Sequence, residues 1–109
     1  MLSAINSLRS NIKIMERNYM IITFSSTHQA IHFERLLLGR FAIEMIPTPR
    51  DITASCGLSL KFEKEDLSSI LDALKAEDLS GKQLYEYIEE KQIRKMITIG
   101  WEDAYATKA

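Results

Sequence analysis

Residues 19–24 (YMIITF) form a short apolar run with β-branched and aromatic members, and it gives way at once to Ser25, Ser26 and Thr27. A run of that length without polar alternation is what a strand covered on both faces requires, so residues 19–24 are predicted as a central strand. Ser26 followed three residues later by Gln29 makes a capping-box pattern, which starts a helix directly behind that strand. Gly39 is its expected stop. Within the helix Ala30, Phe33, Leu36, Leu37 and Leu38 form the arc to be buried, whereas His28, His32 and Arg35 fall on the opposite side at 100° per residue.

This strand and helix constrain everything that follows. Residues 41–46 read as a second strand, closed by Pro47 and Pro49, neither of which can donate to a ladder. After a loop to Ser55, residues 57–62 (GLSLKF) alternate Leu58, Leu60 and Phe62 with Ser59 and Lys61, a strand with one polar face. Leu67, Ile70, Leu71 and Leu74 mark a second helix, with Glu65 and Asp66 in its first turn and Gly81 past its end. Residues 84–88 (LYEYI) and 93–99 (IRKMITI) fit either two strands or one helix. The period-two placement of Tyr85, Tyr87, Ile97, Ile99 and Trp101 favours strands, although Glu90 and Lys91 are good helix formers. The order of elements predicts an α+β domain: a ferredoxin-like split βαβ sandwich (βαββαβ), an antiparallel sheet with its helices on one face. The single domain is expected over residues 19–103, followed by a frayed tail over 104–109. Residues 1–18 carry Leu2, Ile5, Leu8, Ile12 and Met15 at spacings of three and four, an N-terminal amphipathic helix able to dock on the domain or on a second copy, which leaves a homodimer open.

Composition removes whole classes of function. With 14 basic and 15 acidic side chains in 109 residues, and a pI near 6.1, the chain has no basic stripe for phosphates, so nucleic acid is not expected as a partner. The first residues hold neither a signal peptide's apolar core nor a membrane span, so no membrane partner is expected and the location is read as cytoplasmic. There is no phosphate-cradling glycine loop, Walker sequence, nucleophile elbow or carboxylate pair at a cleft, and no cofactor is expected. His28 and His32 have a spacing that two metal ligands can use, but no second cysteine stands near to close a zinc site, and no metal is expected. Tyr85, Tyr87 and Trp101 lack interleaved basic residues and read as core or interface.

The one cysteine, Cys56, stands between small residues, Ala54, Ser55 and Gly57, at a loop-to-strand junction where its sulfur is expected to be accessible. Strand one runs up, helix one down, strand two up and strand three down, so the start of helix one and the loop from Pro47 to Cys56 share one edge of the sheet. That brings Ser26, Thr27, His28, Arg50 and Cys56 into one neighbourhood. A helix N-terminus, an arginine or a histidinium each favours a thiolate, and all three converge here; the plainer alternative is a small buried hydrophobe. Pro47 and Pro49 restrict the loop and aim Arg50, either as an anion holder or as a solvated turn residue. Thr48, Thr53 and Ser55 add hydroxyls for an anion or for the turn itself.

Two segments, FSSTHQAIHFERLLL (24–38) and IPTPRDITASCGLSLKF (46–62), resemble a family of small bacterial selenium/sulfur carrier-like proteins. The resemblance covers residues 19–75. It is most specific in the run Pro47, Thr48, Pro49, Arg50, followed six residues after the arginine by Cys56 and Gly57. It implies that Cys56 accepts a sulfane sulfur or a zero-valent selenium atom, as a persulfide or selenopersulfide, and hands it to an acceptor protein. Arg50, His28, Ser26, Thr27, Ser55 and Gly57 would then stabilise the thiolate or the terminal anion. The partners so implied are donor and acceptor proteins of sulfur or selenium transfer, and the chain is closer to a carrier than to an enzyme. Two other readings stay open: an anionic-ligand-binding or regulatory module in which Cys56 is a bystander, and a thiol enzyme that needs an external resolving thiol.

Overall fold

The computed structural model describes residues 17–107. Along them run β1 (Arg17–Thr23), α1 (Thr27–Leu37), β2 (Ile43–Pro47), β3 (Leu58–Glu63), a 3-10 turn (Lys64–Asp66), α2 (Leu67–Ala73), β4 (Gln83–Glu90), β5 (Ile93–Ile99) and α3 (Trp101–Ala106). The strands make one sheet in the order β2-β3-β1-β4-β5, and every neighbouring pair is antiparallel. The fold is mixed α+β. The N-terminal helix expected over residues 1–18 lies outside the described residues, save that residues 17 and 18 belong to β1.

The apolar run takes the central position that its composition demands. Met20, Ile21 and Ile22 are wholly buried. Alternation along β1 sends Met20, Ile22 and Phe24 into a core with Leu60, Phe62 and Leu84, closed by Ala30, Phe33 and Leu37 of α1 and by Ile70, Leu71 and Leu74 at α2. Phe24 and Phe33 meet edge to face at 5.4 Å between ring centres. Ile21 takes the other face, opposite Lys61 and Tyr85 in the ladder. There Tyr19 stacks on Tyr87 at 4.6 Å, and the Lys61 ammonium lies 4.5 Å from the Tyr19 ring centre.

Local signals account for most boundaries. Ser26 caps α1 by accepting from the Gln29 N–H, while the Gln29 side chain returns to the Ser25 N–H at 3.0 Å, one residue earlier than a strict capping box would place it. Gly39 follows the end of α1 with φ +87°. Leu38, expected in the buried arc, is instead 59% exposed, because it is the C-cap and its extended backbone turns the side chain off the helix face. Pro47 closes β2, which lies at the sheet's edge, where a missing N–H leaves no central ladder incomplete. The last quarter forms a hairpin, β4 and β5, turning through Lys91 and Gln92, both at positive φ.

Two expectations need correction. Glu65 and Asp66 lie in the 3-10 turn ahead of the second helix, with Asp66 as its N-cap, rather than in its first turn, and the helix ends at Ala73 with Leu74 as its cap; Gly81, past that end, is at φ +76° in the turn into β4. The tail is not frayed from residue 104. Trp101–Ala106 is helical, Ala104 is buried, the Trp101 Nε1–H donates to the Lys82 carbonyl at 2.9 Å, and the Tyr105 hydroxyl donates to the Leu71 carbonyl at 2.7 Å. Two aromatic residues that reach a buried carbonyl each can anchor a helix too short to persist alone.

Candidate functional site

The end of β1, the start of α1 and the loop that precedes β3 meet at Cys56. The Cys56 N–H donates to the Phe24 carbonyl at 3.3 Å, which ties the loop to the continuation of β1. The Thr48 hydroxyl donates to the Cys56 carbonyl at 3.1 Å and lies 2.7 Å from the Ser59 hydroxyl, while the Thr48 N–H donates to the Gly57 carbonyl at 2.8 Å. Thr48, held between two prolines, thus fastens both residues at the cysteine corner. Ser59 is wholly buried, and this contact satisfies its hydroxyl.

The sulfur itself has two polar neighbours. The Leu58 N–H donates to Sγ at 3.4 Å, and the Thr27 hydroxyl lies 3.6 Å from it. Thr27 is the first residue of α1, where the orphan N–H groups and the helix dipole place positive partial charge. A backbone N–H and a hydroxyl thus converge on the sulfur at the start of α1. Cys56 is only 4% exposed and packs with the core. The expected accessibility is thereby corrected: the small flanking residues let the loop turn tightly, so Ser55 and Gly57 face outward and the residue between them faces in.

The other residues singled out in the sequence separate into groups. Thr27 touches the sulfur, and Ser26 holds the helix start that presents it. His28, about 100° further round the helix, lines a cleft of about 320 Å³ with His32, Phe33, Glu77 and Lys82, a group that does not include Cys56. There His32 Nε2 is 3.0 Å from the Glu77 carboxylate. Arg50 sits exposed in a turn closed by the Ile52 N–H on the Pro49 carbonyl at 3.0 Å, and Ile52 itself is buried. Ser55 lines a second cleft, of about 360 Å³, with Thr53, Ala54, Ser25, Gly81 and Gln83. A Cβ added to Gly57 would meet nothing within 4 Å, so close packing does not require the glycine. Among the described residues no three His, Cys, Asp or Glu side chains converge as metal ligands, and no helix is long and apolar enough to cross a membrane.

Sequence reasoning missed two parts of the site. Ser59 reads in the sequence as an outward position of β3, and nothing local tells it from Lys61. Gly81 reads as a helix stop, yet its carbonyl accepts from the Ser25 hydroxyl at 2.8 Å and so fixes the turn between β1 and α1.

Residues 19–86, more than half of the chain, match the family described as "Putative Se/S carrier protein-like". No curated protein and no solved structure matches. The chain belongs to this Se/S carrier protein-like family.

Proposed function

We propose that Cys56 is the residue on which this family member carries sulfur or selenium. The Cys56 thiolate attacks the outer, sulfane atom of a donor protein's persulfide or selenopersulfide. The bond from that atom to the donor's cysteine sulfur breaks, the donor thiolate leaves, and the terminal chalcogen stays on Cys56. An acceptor's nucleophile later takes it by the same displacement, which regenerates the thiolate. No oxidant enters either step, because the atom moves at a constant formal oxidation state. The observation that carries this reading is the placement of the chain's one cysteine at the first residue of α1, with the Leu58 N–H and the Thr27 hydroxyl at its sulfur.

The neighbouring residues take roles that follow from their positions. Ser26 and Thr27 hold the helix start against the sulfur. Arg50, exposed on its turn, offers its guanidinium to the terminal anion once the loop opens, and Ser55 and Gly57 form the hinge about the cysteine. His28, one face away, supplies a second cation to a docking partner when protonated. Exchange requires residues 51–57 to swing outward, and the 360 Å³ cleft beside Ser55 is the entrance at which a donor or acceptor docks. We read the frame as a ferredoxin-like split βαβ, with β5 and α3 added, and the compartment as the reducing cytoplasm, where a lone thiol persists.

The test is intact mass spectrometry of the chain and of its Cys56→Ser variant after exposure to a persulfide donor, or to selenite with glutathione. A dithiothreitol-reversible gain of about 32 Da for sulfur or about 79 Da for selenium, found only with Cys56 present, is expected. No adduct on the unsubstituted chain would overturn the reading and favour the ligand-binding module, in which Arg50 holds an anion with or without Cys56.

A further inference from the structure

We propose that β5 is the contact edge of a symmetric dimer, in which a second copy's β5 pairs with it antiparallel about Met96. The sheet's two edges differ. β2 is five residues long, ends in Pro47, which has no N–H to give, and presents an exposed Glu44. β5 is seven residues long, contains no proline and, among the described residues, pairs with β4 on one side only. Long unpaired edges template the addition of another strand. This one also exposes Ile93 (62%) and Ile97 (43%), both on the face it shares with Leu84 and Ile88.

The charges and apolar residues of β5 select a copy of itself as the occupant. A two-fold axis normal to the sheet keeps like faces together, so the register moves in steps of two. Pairing about Met96 sets Ile93 against the second copy's Ile99, Arg94 against its Thr98 and Lys95 against its Ile97. Both exposed isoleucines gain an apolar or aliphatic neighbour, and no cation opposes a cation. Pairing about Lys95 would oppose two lysines directly, and pairing about Ile97 would leave Ile93 and Arg94 without partners. One register therefore stands out, which an edge kept apart by charge would not show. The dimer leaves the chemistry free: Cys56 is tied to Phe24, at the end of the sheet opposite the β4–β5 turn, so the two-fold places the two thiols at opposite ends of a joined sheet.

The full chain carrying Cys56→Ser tests the register when Met96→Cys or Ile93→Cys is added and the protein is mildly oxidised. Directly opposed residues stand about 4.5–5.5 Å apart at Cα, inside disulfide range. Met96→Cys is expected to give a covalent dimer. Ile93→Cys is not, because its symmetry mate lies about 20 Å along the strands. Sedimentation of the unsubstituted chain should show a dimer that weakens several-fold with Thr98→Arg, which faces Arg94, and tightens with Thr98→Glu. Thr98 is exposed on the edge, so neither change burdens the fold. A monomer at every concentration, a dimer indifferent to both Thr98 variants, or equal cross-linking at the two cysteine positions would each overturn the proposal. Dimerisation through another surface would appear as the second of these.

Discussion

Cys56 combines two polar neighbours at its sulfur, the Leu58 N–H at 3.4 Å and the Thr27 hydroxyl at 3.6 Å, with an exposure of only 4%, so its modification requires the loop to open. Thr27→Val keeps the branched shape and removes the hydroxyl; loss of a contact worth about 1 kcal/mol that ties the loop to α1 is expected to ease opening and speed alkylation of Cys56 several-fold. Pseudo-first-order rates with a small alkylating reagent measure it, and an unchanged rate would remove Thr27 from the site. Cys56 is legible in the sequence as a candidate because it is the chain's one thiol among small residues at a junction. Its burial is not legible, since Ala54, Ser55 and Gly57 allow the side chain to turn either way. His28 and Thr27 are likewise adjacent in sequence, and only the helix phase decides that Thr27 meets the sulfur and His28 faces Glu77 and Lys82.

Elements here begin where local chemistry begins them. Ser26→Ala removes the acceptor for the Gln29 N–H and should destabilise the chain by about 1 kcal/mol, read from denaturant midpoints at constant slope. Gly81→Ala should cost more than Ser26→Ala. Its φ of +76° strains any L side chain, and an added Cβ would collide with the Ser25 hydroxyl, breaking the contact that joins the β1–α1 turn to β4. An equal or smaller loss at Gly81 would show that the turn relaxes freely. Starts such as that of α1 are readable because a cap acts within four residues. The brevity of α2 and the existence of α3 are not, because they depend on distant anchors: Tyr105 on Leu71 and Trp101 on Lys82.

For the molecule as a whole, one core joins β1, β3 and β4 to the helices, so a cavity anywhere within it weakens every element. Leu60→Ala, at a wholly buried position, is expected to lose about 2–5 kcal/mol. Calorimetry should show one cooperative transition at a lower Tm; two separate transitions would contradict a single core. The alkaline limit has a named contributor. Burial first, and then the charge of Asp72, holds the Tyr105 phenol above its usual 10.0. Above about pH 10 the unfolded chain therefore ionises this phenol while the folded chain still keeps it protonated, and stability falls as pH rises from there toward the folded value. Tyr105→Phe should lower stability by about 1 kcal/mol at neutral pH through the lost bond to Leu71 and should flatten the alkaline decline. A decline of unchanged steepness would assign it to other groups.

The sequence by itself determined the central strand, the start of α1, the proline-closed edge strand and the family, and it favoured strands over a helix for β4 and β5. Each of these is written in residues close together: an apolar run, a cap three residues from its partner, a pair of prolines, a period of two, a motif. Only the tertiary structure decided that Cys56 points inward, that Thr27 rather than His28 meets it, that Thr48 and Ser59 fasten its corner, and that the last residues fold as α3. Those outcomes depend on which surfaces remain to be covered once the sheet has formed, and pairings across tens of residues leave no pattern in the local sequence.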